Sequence, residues 1–229
     1  MVKEVVNTPE GTASYPWLNT PDTKFGTPGN YKCGLVLDPA EAGVDSFIEK
    51  YNKFAEQAKA DCIVQIEEAL SEIPDNPKNK AKRQALQAII DDIDEKFKDP
   101  LQPQYDDAGE LTGKMILQCS SRASIPDKKT GGTISLKPDA YDATGNVMEE
   151  VPAIMGGARL RLKITLKNYF IPANKICGIT KPNIHAFQVV KLTSGGAGGG
   201  FGAVEGGYVQ EQKVEPSFDD EDLESAEYE

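Results

Sequence analysis

Apolar residues recur along this chain with a period that changes from strand-like to helical and back again. Residues 31–37, YKCGLVL, form an apolar run between the turn-rich TPGN and Asp38-Pro39, and predict a first strand. Over 44–73 the pattern is helical, with Phe47, Tyr51, Phe54 and Ala58 at i, i+4, i+7 and i+11 making one apolar face. Asp45 is the expected N-cap of that helix. The segment DNPKN breaks it, and 80–97 resumes with Leu86, Ile89, Ile90, Ile93 and Phe97 on one side. After Asp99-Pro100-Leu101-Gln102-Pro103 the period becomes two. Residues 114–121 (KMILQCSS) and 133–137 (TISLK) read as strands joined by a hairpin-like turn at 126–132. The strongest alternation lies at 159–171, and 184–192 (IHAFQVVKL) is the last strand. The pattern predicts a mainly β, α+β domain over 1–193, with five strands, enough to close a small barrel, and a helical insertion at about 40–100.

Beyond Leu192 no packed element is expected. Residues 194–207, SGGAGGGFGAVEGG, have the composition of a flexible linker, and 208–229 that of an acidic disordered tail. As a random coil, 194–229 would span on the order of 30–35 Å, enough to fold back over a small domain.

Charge sharpens this division. The chain carries a formal net charge of -11. Eight acids and no base lie in 215–229, so residues 1–214 hold 25 bases against 28 acids, a net charge of only -3. Between Val151 and Val204 there is no acid but there are seven bases: Arg159, Arg161, Lys163, Lys167, Lys175, Lys181 and Lys191. A basic block followed by an acidic tail suggests a polyanionic partner and a tethered competitor for it.

The strand RLRLKITLKNY concentrates the effect. Alternate residues share a face, so Leu160, Leu162, Ile164 and Leu166 make a core face. Arg159, Arg161, Lys163, Thr165, Lys167 and Tyr169 line the other side as a basic ladder roughly 30 Å long that ends in a ring. Cations that follow phosphates beside an aromatic face suit single-stranded nucleic acid, whatever its sequence. Lys114, Arg122, Lys128 and Lys129 on the neighbouring strand and its turn, with Lys32 on the first strand, are further candidate contacts. Tyr15 and Trp17 offer stacking surfaces. The competing reading is a protein-interaction or scaffold protein whose basic strand grips an acidic partner.

Catalytic readings find little support. His185 is the single histidine, which removes most nucleophile–histidine arrangements. Asp91, Asp92, Asp94 and Glu95 fit a solvated helix face better than a nuclease metal site. GELTGKM at 109–115 is one residue short of a phosphate loop and has Met115 where Ser or Thr is required. The glycine run near 195–200 precedes no helix and so makes no dinucleotide turn. Cys33, Cys62, Cys119 and Cys177 are too dispersed for a zinc site or a disulfide framework, and are expected as reduced, buried thiols. Neither a metal nor a cofactor is expected. No apolar run reaches membrane-spanning length, and MVKEVVNTPEG lacks the apolar core of a signal peptide.

The segment EEVPAIMGG at 149–157 runs without a gap into the 159–169 ladder, after KFGTPGNYK at 24–32 and PDKKT at 126–130, and before Phe201-Gly202 and the acidic tail. In that order these features resemble the single-stranded DNA-binding protein family of short-tailed, T-odd type bacteriophages. The resemblance implies an OB-fold that coats single strands in phage DNA replication, recombination and repair, and anneals complementary ones. By position it places Arg161, Lys163 and Tyr169 on the DNA-contacting strand. It further implies that the tail, with Phe218, Asp219, Asp220, Glu221, Asp222 and Tyr228, competes with DNA and docks on the phage DNA polymerase and helicase-primase. A homodimer and the cytoplasm of the infected host complete that expectation. Where relatives tend to carry a basic and an aromatic residue on the strand before the hairpin, this chain has Gln118 and Ser120.

Overall fold

The computed structural model describes residues 1–193; the linker at 194–207 and the tail at 208–229, with Phe218, Asp219, Asp220, Glu221, Asp222 and Tyr228, lie outside the described residues. In chain order, β1 (Lys3–Asn7), β2 (Gly11–Asp22) and β3 (Asn30–Leu37) precede the helices. The helices are α1 (Val44–Ser71), α2 (Lys80–Asp91) and α3 (Ile93–Lys96). Then follow β4 (Leu101–Tyr105), β5 (Leu111–Arg122), β6 (Ser124–Pro126), β7 (Thr133–Ser135) and β8 (Asp139–Tyr141). The domain ends with β9 (Arg159–Ile171), β10 (Ile176–Ile179) and β11 (Asn183–Lys191).

Five strands make the barrel. β3 lies between β2 and β5, while β9 lies between β2 and β11, all antiparallel. The remaining seam joins β5 to β11. There the Ser120 N–H donates to the Pro182 carbonyl at 3.0 Å, and the Ser121 hydroxyl accepts from the Ile184 N–H at 2.5 Å. In each β9 alternation one side is core: Leu160, Leu162, Ile164 and Leu166 are at most 1% exposed. At about 2 kcal/mol for each fully buried leucine or isoleucine, this face is a major holder of the fold. Leu35, Leu37, Leu117 and Phe187 fill the same interior.

Helix α1 lays Phe47, Tyr51, Phe54, Ala58 and Cys62 into this core and packs on β9 and β10. Asn168, wholly buried beneath it, donates to Asp61 Oδ2 at 2.7 Å, and its Oδ1 accepts from the Val2 N–H. The helix starts differently from expectation. Its N-cap is Gly43, whose φ of 80° is the left-handed conformation that glycine adopts freely, and no side chain caps it. Asp45 lies inside the first turn, where a carboxylate still favours the helix dipole. The helix expected over 80–97 is two, broken at Asp92 (φ -117°, ψ 37°).

The strand count is also corrected. Residues 133–135 do not join the barrel; β7 pairs only with β6 in a separate exposed hairpin. The fifth barrel strand is β2, which has no clean alternation because Pro16 and Pro21 interrupt it and a register shift separates Ser14 from Trp17. Short strands β1, β4, β8 and β10 extend the sheet beyond the five.

Candidate nucleic-acid interface

The barrel distributes the candidate residues over two faces. On the first, Trp17 of β2 is in register with Lys32 of β3, and Lys32 with Ser120 of β5. Asn30 and Arg122 are paired one step along, and Arg122 is exposed. Directly opposed residues share a face, so Trp17, Lys32, Ser120 and Arg122 all point outward. The register shift in β2 also throws Tyr15 out of the ladder, at φ 46° and 86% exposed, beside a Trp17 that is 43% exposed. Phe25, in the β2–β3 connection, is 89% exposed, and Lys24 lies 5.6 Å from its ring centre. Three uncovered aromatic rings around cations form a surface that water solvates poorly and a stacked base would cover.

This face continues across the seam. The Ser120 N–H reaches Pro182, next to Lys181, and Lys181 lines a shallow cavity of about 540 Å³ with Tyr169, Lys98 and Thr180. Tyr169 is half-buried, opposite Gly178 of β10, and its phenol is pushed up in pKa chiefly by burial. Thr180 also binds back to the Lys167 carbonyl, through its N–H at 2.9 Å and its hydroxyl at 3.2 Å.

The second face is the ladder. Arg161 and Lys163 are exposed and Lys167 half-buried, flanked by β1 on one edge and β11 on the other. Thr165 does not present itself: it is 4% exposed and its hydroxyl pairs with His185 Nε2 at 2.6 Å.

Three expected free cations are ion-paired. Arg159 donates from Nε to Glu10 at 2.7 Å, from Nη1 to Glu41 Oε1 at 2.8 Å and Thr12 at 3.0 Å, and from Nη2 to Glu41 Oε2. The Glu41 carboxyl is correspondingly held below its ordinary value by that hydrogen bond, and the guanidinium is held still more firmly protonated. Lys114 pairs with Asp38 at 3.0 Å, and Lys32 pairs with Asp22 while lying 6.0 Å from the Trp17 ring. The sequence could not show this, because the strand holding Arg159 has no acid and its partners lie 118 and 149 residues away. Among the described residues, Arg161, Lys163, Lys167, Arg122, Lys128 and Lys129 have no carboxylate within 4.0 Å. Lys128 and Lys129 are exposed on the β6–β7 turn. The residues absent from the sequence-based set are Phe25 and Lys181; a phenylalanine between Lys24 and Gly26 in a turn was the available signal for the first.

No set of three or more His, Cys, Asp or Glu side chains among the described residues is placed to hold a metal ion. Asp91, Asp92, Asp94 and Glu95 are all exposed.

A closed five-stranded barrel with rings and cations on the outside of its first three strands, β2, β3 and β5, is an OB-fold of the oligonucleotide-binding kind. The family model "Single-stranded DNA-binding protein, Bacteriophage T7" matches residues 10–180, and the chain belongs to that family. It is 28% identical over 205 residues to the single-stranded DNA-binding protein of Enterobacteria phage T3, a match covering 86% of this chain and 80% of the relative. With the single-stranded DNA-binding protein of Escherichia phage T7 it shares 28% identity over 211 residues, with the same coverage. The crystal structure of gp2.5, a single-stranded DNA binding protein encoded by bacteriophage T7, superposes with a TM-score of 0.62 at 23% identity. That match covers 87% of this chain and 98% of gp2.5, and it shows the shared fold.

Proposed function

We propose that this protein binds single-stranded DNA without strong sequence preference and coats it during phage DNA replication, recombination and repair. The observation that carries the reading is the outward row Trp17–Lys32–Ser120, continued by Lys181 and Tyr169. It alternates stacking surface and cation across three strands and a seam, which is what a backbone with protruding bases requires. Tyr15, Phe25, Arg122, Lys128 and Lys129 border the row. Ser120, small and neutral, keeps its centre clear for a base or sugar, and Gln118, opposite Gly34, is neutral beside it.

The same reading assigns strand annealing to the protein. It assigns the acidic tail, with Phe218, Asp219, Asp220, Glu221, Asp222 and Tyr228, as a competitor for the basic surface and a docking segment for the phage polymerase and helicase-primase. Its place of work is the cytoplasm of the infected host, and homodimerisation belongs to the same proposal.

Titration with oligo-dT at several salt concentrations tests the central claim. Affinity is expected to fall with salt by a log–log slope of about 0.7 for each phosphate neutralised. Trp17→Ala is expected to weaken binding by about 1–3 kcal/mol at fixed salt if one base stacks there. Wild-type binding to an acidic polypeptide but not to oligo-dT would instead identify a scaffold protein.

A further inference from the structure

We propose that Asp22 sets the ligand specificity of the Trp17–Lys32–Ser120 row, by withholding the Lys32 cation from any polyanion that does not also bring a ring to Trp17. This rests on the DNA-binding reading above and assigns the row a residue that opposes unselective binding.

The irregularity in β2 puts Asp22 in place. From Trp17↔Lys32 to Asp22↔Asn30 the ladder advances by five residues on β2 and by two on β3, so the extra residues loop out and Asp22 is drawn up beside Lys32. Asn30 is in turn opposite Arg122, which makes Asp22–Asn30–Arg122 the next outward row. The Asp22 side chain is only 9% exposed, against 37% for Lys32. A carboxylate so covered, on a surface built for phosphates, is costly unless it is paired. Its Oδ2 accepts from Lys32 Nζ, and among the described residues no other carboxylate lies within 4.0 Å of that ammonium. The same ammonium stands over the Trp17 ring, 6.0 Å from its centre, where a base would stack.

Asp22 also orders the connection to β3. Its Oδ1 accepts from the Lys24 N–H at 2.9 Å, and the Gly26 N–H donates to the Thr23 carbonyl at 3.1 Å, with Phe25 held outward between them. One carboxylate therefore anchors both cation–ring pairs, Lys32 with Trp17 and Lys24 with Phe25.

This arrangement makes two demands on a ligand. A polyanion without bases reaches Lys32 only by breaking its pair with Asp22, and then stands beside an unpaired carboxylate. A single strand displaces the ammonium from the ring with a base and receives it on the adjoining phosphate, so stacking offsets the lost pair. Duplex DNA keeps its bases stacked inside and meets the same barrier as a bare polyanion.

The test compares labelled oligo-dT with inorganic polyphosphate of matched charge, the latter by competition, on the full chain over a range of salt. Asp22→Asn removes the charge and keeps an oxygen for the Lys24 N–H; Asp22→Ser is a second variant with a shorter acceptor. Both are expected to bind polyphosphate about fivefold to tenfold more tightly at about 50 mM salt, the effect of one added phosphate contact. Oligo-dT is expected to tighten by no more than about threefold, because its complex with the wild-type chain already uses Lys32. In a Lys32→Gln background the same substitutions are expected to change either affinity by less than about twofold, since Asp22 acts through Lys32. Weaker oligo-dT binding by Asp22→Asn overturns the proposal, because the carboxylate then serves only to shape the loop. An equal gain for both ligands overturns it too, as does a gain that survives in Lys32→Gln. If oligo-dT does not bind the wild-type chain, the DNA-binding reading itself falls, and the role of Asp22 with it.

Discussion

Arg159→Ala separates an ion-paired structural cation from a DNA contact. The side chain is 24% exposed, and its partners Glu10 and Glu41 are 31% and 34% exposed, so the pairs are neither dry nor fully screened. Surface ion pairs contribute about 0.2–1 kcal/mol each, and bidentate geometry and charged hydrogen bonds raise that. One bidentate pair, one single pair and a hydrogen bond to Thr12 together stabilise the fold by about 2 kcal/mol. For a domain of this size that is a Tm lower by about 4–8 °C in the variant. The pH dependence has a definite sign. Glu41's carboxyl lies below its ordinary 4.5 in the folded state, because Arg159 hydrogen-bonds to it. Stability from a depressed carboxyl is present above the unfolded value and is lost as pH falls through the folded one. The deficit of Arg159→Ala is therefore full at neutral pH and shrinks as pH falls below about 4.5. Thermal melts of both proteins between pH 7 and pH 3.5 measure this. In parallel, oligo-dT titrations should give Arg159→Ala the wild-type salt slope, whereas Arg161→Ala lowers the slope by about 0.7. A variant that melts like wild type but loses as much salt slope as Arg161→Ala would show that Arg159 grips phosphate and that its carboxylate partners are incidental.

Tyr169→Ala is expected to weaken oligo-dT binding by about 1–3 kcal/mol, with Tyr169→Phe close to wild type because the ring does the stacking; an equal loss in both would point to the hydroxyl. Gly178→Ala should destabilise the domain by about 3 kcal/mol in urea unfolding, since a Cβ there would lie 2.2 Å from the Lys98 carbonyl oxygen; an unchanged midpoint would contradict that packing. Deleting residues 208–229 should strengthen oligo-dT binding at low salt, as an anion tethered at roughly millimolar effective concentration is lost, and unchanged affinity would dismiss the tail as a competitor.

The particular elements show where sequence patterning suffices. The 159–171 strand was legible to its end residues, because burying one face of a strand fixes every second side chain. β3, β5 and β11 were legible to within a few residues for the same reason. β2 was not, since a bulge and two prolines destroy the alternation that identifies a strand, yet it carries Trp17 and Tyr15. The 133–137 alternation was real but local: a two-residue period says that a segment can pair, not with what, and here it pairs within its own hairpin.

The sequence by itself therefore determined the core face of β9, its run of outward cations, the family and the segregation of charge into basic block and acidic tail. These are properties of composition and periodicity, which depend on neighbours along the chain. Only the tertiary structure decided which cations remain free and which rings stand beside them. Glu10 and Glu41 reach Arg159, Asp22 reaches Lys32 and Asp38 reaches Lys114 because the barrel closes, and closure also brings Tyr169 to the row that begins at Trp17. Electrostatic pairing falls off within a few ångströms, and distances that short between remote residues exist only after folding.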